Sequence, residues 1–293
     1  MILAAGVLWG TIGLFSTLLS NMGVDTGCVA FFRLFTSSIL LSLIMLVKGK
    51  GPGLFRISKR GLFSCALVGL FSQALFNIFY MNAIKHGGMA TAAVFLYTSP
   101  AFVAIMSRMF FHEALTRNKI IAILINIVGC ALAATGGDFS QMQISGFAVI
   151  MGVLAGFTYA LLPVLSRTGA DKEDPFTAAF YGQVIGMVIL LFIIRPYNGI
   201  GTEFAWQMLP IIIGLGLFPS AMTYSLYYSG LTRIKETTIV PVLASIETVI
   251  AALVGFIAFG QTLGPGKIAG IALVLCSIAV MNIKNTDTEG HGK

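Results

Sequence analysis

The chain has 293 residues, 57% of them hydrophobic and only 10% charged, with a mean hydropathy of +0.93. Soluble domains carry about 25% charged residues, so this is an integral membrane protein. Its net charge of +7 reflects basic loops rather than a nucleic-acid partner. Cys28, Cys65, Cys130 and Cys276 all lie in apolar runs, with no CxxC and no Cys/His cluster, so neither a metal site nor a disulfide framework is indicated.

A helix needs roughly 20 mainly apolar residues to cross the hydrocarbon. Ten such runs follow one another, at about 2–20, 28–47, 61–82, 89–111, 118–135, 144–165, 176–194, 208–229, 237–259 and 267–283. They are continuous and rich in Leu, Ile, Gly and Ala, whereas a barrel would alternate in segments of about ten residues. The fold class expected is therefore an all-α membrane protein of ten spans. The opening "MILAAGVLWGTIGLFS" has no basic n-region and no small-residue cleavage site, and reads as a retained first span.

Lys and Arg in short loops set orientation. With the N-terminus inside, the cytoplasmic loops and tail hold Lys48, Lys50, Arg56, Lys59, Arg60, Arg108, Arg117, Lys119, Arg167, Lys172, Arg233, Lys235, Lys284 and Lys293. That is 14 of the 18 basic residues, against Lys85, Arg195 and Lys267 outside and Arg33 within a span. Both termini are expected in the cytoplasm, in a cell inner membrane.

Arg33 stands in span 2, about 7 Å outward of its centre at 1.5 Å per residue. A guanidinium cannot shed its charge, and hydrocarbon penalises it by at least about 2.5 kcal/mol. Three readings are open: snorkelling to the headgroups, a structural contact to carbonyls or to Glu247, or a meeting with the negative end of a solute. In span 3, Gln73, Asn77 and Tyr80 share one helical face. Tyr224, Tyr227 and Tyr228 gather in span 8. Tyr224 suits a cavity for a partly apolar solute, whereas Tyr227 and Tyr228 fit an interfacial belt near the inner end. Tyr97 in span 4, and Trp9 and Tyr159 at like depths in spans 1 and 6, are further binding candidates. Asn126 and Gln183 are polar residues of spans 5 and 7. Glu247, near the middle of span 9, has Ala244 and Ala251 on its face; it is either a structural carboxyl or a carrier of protons. Pro100 and Pro219 fall mid-span, as static kinks or hinges. Gly6/Gly10 and Gly152/Gly156 let helices approach closely. Arg108, His112 and Glu113, at the cytoplasmic end of span 4, suit a surface or gate-lining place.

Residues 1–135 and 144–283 resemble each other, with 136–143 as connector and 284–293 as tail. Gly6, Gly10 and Leu8 match Gly152, Gly156 and Leu154; Arg33 falls opposite Tyr181, and Tyr80 opposite Tyr228. The stretch 99–122 falls opposite 247–270. Five spans per half force the second copy to insert upside down, and inverted repeats of this kind mark transporters.

"GVLWGTIGLFS", "FFRLF", "YTSPAFVAIMSRMFFHEALTRNKIIAI" and "VPVLASIETVIAALVGFIAFGQTL" resemble the ten-span EamA branch of the drug/metabolite transporter superfamily, over nearly the whole chain. The resemblance implies a carrier of amino acids, metabolites or drugs, often an exporter. The chain departs from the family pattern at Thr248, where a Pro usually follows the Glu, and at Gln261, where Glu is usual. There is no GxxxxGK[ST] loop for ATP, and no HExxH, GxSxG or selectivity-filter motif. The expected function is a secondary transporter of small amphiphilic metabolites and not an enzyme. No cofactor, metal or nucleic acid is expected. The expected partners are a small-molecule substrate and the lipid bilayer, and the chain would act as a monomer or homodimer. A multidrug or lipid-linked solute carrier of the same fold, and a non-transporting receptor or assembly partner, are the alternatives.

Overall fold

The computed structural model describes residues 1–47, 53, 55–140, 142, 144–196 and 206–282. Lys48, Lys50, Lys284 and Lys293, counted for orientation, and the 284–293 tail lie outside the described residues. Every regular element among the described residues is helical. Eight helices are long and apolar enough to cross a membrane, and two shorter apolar ones join them.

Numbered by span, α1 is Ile2–Asn21, α2 Thr26–Val47, α5 Arg117–Thr135, α6 Gly146–Ser166, α7 Pro175–Ile194, α8 Met208–Leu231, α9 Ile239–Phe259 and α10 Pro265–Met281. The remaining long helix, Lys59–Leu96, is broken at Gly88, whose φ of +78° is open to glycine alone without strain. Residues 59–87 form α3. Residues 89–111 form α4, which pauses at Tyr97 and Thr98 before Ser99–Phe111. Thr116, Ser145 and Asp174 cap α5, α6 and α7, each accepting a backbone N–H through its side chain.

The two halves correspond element by element. In α3 the helix widens to π geometry over Val68–Leu75, and in α8 over Leu217–Met222. Both segments begin nine residues after the span does, Lys59 to Val68 and Met208 to Leu217. Just as α4 pauses at Tyr97 and Thr98, α9 breaks at Ser245 between Ile239–Ala244 and Ile246–Phe259. The two second segments then end alike. His112 (φ +55°) and Gly260 (φ +63°) are left-handed caps, and the following N–H groups of Glu113 and Gln261 bond back to Ser107 O and Gly255 O. The same left-handed closure thus ends both second segments, 148 positions apart.

Helix packing repeats the symmetry. A Cβ on Gly6 would lie 2.7 Å from Ala244 O, and one on Gly10 2.8 Å from Glu247 O. A Cβ on Gly152 would lie 2.7 Å from Phe95 Cβ, and one on Gly156 2.7 Å from Phe95 O. So α1 lies against the break in α9, and α6 against the break in α4. In lipid, such close backbone approach replaces the hydrophobic drive that water would supply. Gly129 of α5 and Gly270 of α10 meet in the same manner.

The prolines differ from expectation. Pro100 is not a mid-helix kink. It occupies the first turn of Ser99–Phe111, where its missing N–H would have had no partner in any case. Pro219 lies inside the π segment of α8, where the helix is already widened around its missing donor.

Candidate functional site

The breaks and π segments bring aromatic and charged side chains from both halves to the middle of the bundle. Trp9 of α1 packs against Tyr159 of α6 and against Tyr224 and Tyr227 of α8, with ring centroids 6.4, 5.4 and 5.3 Å apart. Phe76 of α3 links Tyr159, 5.4 Å away, to Tyr80 at 5.6 Å. The Tyr159 hydroxyl donates to Glu247 Oε2 over 3.4 Å. Tyr80, Tyr97 and Tyr224 all lie within electrostatic reach of Glu247.

Glu247 does not sit on an unbroken α9 face. Ser245 interrupts the helix, and Glu247 falls in the first turn of Ile246–Phe259. Ala244 is buried while Ala251 is exposed, so the pair does not form one packed stripe. Glu247, Phe76, Tyr80, Tyr97 and Tyr159 are all half-buried although they come from the interior of spans. Trp9 and Tyr224 are buried behind them.

Arg33 is buried, 7% exposed. It lies within electrostatic reach of Tyr224, which also feels Glu247 from another helix. Arg33 and Glu247 do not pair: among the described residues the ion pair is Lys119–Glu236. The two deep charges thus both act on one tyrosine without forming an ion pair. The Gln73 carboxamide meets the Tyr224 hydroxyl, while its buried Oε1 has no hydrogen-bond partner. Asn77 is turned to its own helix, donating from Nδ2 to Gln73 O at 2.5 Å, which satisfies a carbonyl in the π segment. Asn126 is likewise spent on structure, donating to Ser245 Oγ and Ser277 Oγ across α9 and α10. Gln183 is buried with both polar side-chain atoms unpartnered, as are Ser37 Oγ and Ser220 Oγ.

Tyr227 and Tyr228 overturn the belt reading. They are 2% and 1% exposed, and Tyr227 packs against Trp9 with its ring tilted by 51°. Spacing alone could not separate a tyrosine at headgroup depth from one in a packed seam. The gap beside them, lined by Trp9, Tyr159, Tyr227, Pro241 and Ala244, holds only about 10 Å³, close to the minimum for one water.

One end of the bundle is bonded shut beneath this seam. It bears Arg56, Lys59, Arg60, Arg117, Lys119, Arg167, Lys172, Arg233 and Lys235 and is called the basic end. Glu113, just past α4, accepts from Thr237 N at 2.6 Å, Thr238 N at 3.1 Å and Thr238 Oγ1 at 2.7 Å, all before α9. Lys119 Nζ meets Glu236 Oε1 at 2.8 Å and donates to Ala114 O at 2.8 Å. Arg167 donates to Thr237 Oγ1 at 3.0 Å and to Ile234 O. Glu173 ties the loop before α7 to Ser58 before α3. Burial pushes the Glu113 carboxyl up, but the hydrogen bonds from Thr238 and Thr237 outweigh it and hold the group below the ordinary carboxylate range. The sequence signal for this cluster was the charge triplet Arg108, His112 and Glu113. Only Glu113 is drawn into the seam; Arg108 and His112 are exposed.

Comparison with known proteins fits this architecture. The EamA-like transporter family matches residues 1–135 and again 146–283, one match per half. An uncharacterized transporter of Archaeoglobus fulgidus is 29% identical, over 95% of this chain and 94% of its own length. The threonine/homoserine exporter RhtA of Escherichia coli K12 is 25% identical over 68% of this chain and 64% of its own. A solved crystal structure superposes with a TM-score of 0.76 over 95% of this chain and 94% of its own, at 17% identity, which is likeness of fold.

Proposed function

Since the chain belongs to the EamA-like transporter family, we propose that it is a secondary transporter of small zwitterionic metabolites, amino acids or close relatives, which it moves outward by alternating access. The observation that carries the reading is the pair of deep charges, not paired with each other, that both act on Tyr224. A charge held among helices faces the bundle interior and marks a solute path. Arg33 offers planar donors to a carboxylate, and Glu247, ringed by Tyr80, Tyr97 and Tyr159, offers a carboxylate and aromatic faces to an ammonium group. Trp9 and Phe76 supply the apolar wall. Gln73, with its unpartnered Oε1, is a further contact for the polar part of the solute.

Cycling follows from the inverted repeat. The basic end is assigned to the cytoplasm by the Lys/Arg bias, with both termini on that side of an inner membrane. The closed basic end and the half-buried residues around Glu247 support reading this arrangement as outward-facing. Names of relatives bear on direction and cargo: RhtA is a threonine/homoserine exporter.

The test is flux. Proteoliposomes loaded with labelled threonine, homoserine and a panel of other amino acids should show saturable counterflow for at least one of them, above empty liposomes. A panel that also includes organic cations separates amino-acid from multidrug transport. If nothing moves with or without a pH gradient, the transporter reading fails.

A further inference from the structure

The two halves end their fourth and ninth spans in the same cap but equip it differently. Glu113 and Gln261 are each the first residue past a left-handed cap, and each returns its N–H to the carbonyl six residues earlier. They are the same position of the repeat. Glu113 reaches across to the start of the opposite half's broken span and takes the N–H groups of Thr237 and Thr238. Subtracting the same 148 positions gives Met89 and Ala90, the first residues of α4 after the Gly88 break.

At this second place the contact is not made. The Gln261 side chain is exposed and accepts only from Lys267 Nζ, at 3.4 Å. Thr237 and Thr238 are fully buried, whereas Met89 is 70% exposed. The supporting contacts are one-sided as well. Glu236, the partner of Lys119, corresponds to Gly88, so Lys267 has no carboxylate to meet. Arg167, counted by the α1/α6 offset of 146 that relates Gly6 to Gly152, corresponds to uncharged Asn21.

We propose that Gln261 is the far-end latch: when that end closes, its carboxamide oxygen takes the N–H groups of Met89 and Ala90, as the Glu113 carboxylate takes Thr237 and Thr238 here. The first N–H groups of a helix lack partners within it, so the start of α4 has donors to offer. The inference rests on the alternating-access reading. It also specifies what biases the cycle. Hydrogen bonds to a carboxylate are roughly twice as strong as those to a neutral acceptor. The Glu113 latch has two ionic or charged helpers, Lys119 and Arg167, which Gln261 lacks. The resting state is therefore closed at the basic end, and the Glu/Gln difference sets part of that preference.

The experiment measures the far-end distance directly. In a background with the four native cysteines replaced by alanine, spin labels go on Met89→Cys and Thr262→Cys, both exposed in this state. Full-length protein in nanodiscs is read by double electron–electron resonance. Without substitution, the longer, unlatched distance dominates. Gln261→Glu should raise the short-distance fraction by about fivefold relative to the long one, from the stronger charged hydrogen bond. Glu113→Gln, which weakens the opposing latch, should move it the same way, and Gln261→Ala should deplete the short population. Unchanged distributions in both Gln261 variants, or a shift of Gln261→Ala toward the short distance, overturn the proposal. No substrate is needed. A protein that shifts but carries no flux keeps the latch and loses the transport reading. One that transports without shifting does the reverse.

Discussion

At the residue scale, the informative feature is a pair of charges that decline to meet. Burying an ion without a partner is costly, and a helical bundle could have joined Arg33 to Glu247. Instead both act on Tyr224 without forming an ion pair. On the proposed function, Arg33→Ala should lower transport efficiency by roughly 10- to 100-fold, the range of a lost charged hydrogen bond. Arg33→Lys should recover only part of this, because Lys keeps the charge but not the planar donors. Counterflow kinetics in proteoliposomes decide it; wild-type rates in both variants would return Arg33 to snorkelling. Glu247→Gln should cut flux at least about tenfold for solutes bearing an ammonium group and spare any solute without one. Equal loss for both kinds would make Glu247 structural. Arg33, Glu247, Trp9 and Tyr159 were all conspicuous in the sequence, because a charge or a large amphipathic ring inside an apolar run has no cheap place in lipid. Tyr227 and Tyr228 were not legible in this way, since depth along a helix does not say which face it presents.

At the element scale, irregular geometry carries the architecture. The π segments of α3 and α8 and the breaks in α4 and α9 recur in both halves, and glycines on α1 and α6 pack against the two breaks. None of the π geometry was visible in the sequence: "VGLFSQAL" reads as ordinary helix, and the extra residue per turn is imposed by neighbours. The glycine spacing was visible, though its partners were not. The seam between α5 and α10 tests the packing logic. A Cβ at Gly270 would sit 2.3 Å from Ala133 N and 2.7 Å from Gly129 O, all backbone and unable to yield. Gly270→Ala should therefore destabilise the protein by about 1–3 kcal/mol, the usual cost of overpacking. A lower melting temperature in detergent would register it. Gly13→Ala, where a Cβ meets nothing within 4 Å, should leave the melting temperature near wild type.

At the scale of the whole molecule, the closed basic end is an electrostatic construction and should respond to pH. Glu113 has its carboxyl held below the ordinary value of 4.5. A group depressed in the folded state stabilises it above the unfolded pKa, and that stability is lost as pH falls through the folded one. Wild type should thus melt above Glu113→Gln at neutral pH, and the gap should narrow as pH drops below about 4.5. A gap that persists undiminished well below that range would assign the difference to packing. Orientation is checked on the same scale. An impermeant thiol reagent applied outside intact cells should label Met89→Cys and miss Lys172→Cys, in a background without native cysteines. The reverse pattern would invert the topology.

The sequence by itself determined that the chain is a bundle of about ten membrane helices in two related halves, because hydrocarbon demands long apolar runs and tolerates little else. It also singled out the residues whose polarity conflicts with that solvent. Only the tertiary structure decided what those residues face. Whether Arg33 joins Glu247, whether Tyr227 meets lipid or Trp9, and whether Glu113 or Gln261 holds a partner all depend on how helices turn and cross. In a membrane, nearly every helix face is apolar, so the pattern that would reveal a buried face in water is absent. The choice falls to glycine contacts, helix breaks and loop hydrogen bonds between residues more than a hundred positions apart, such as Glu113 and Thr237.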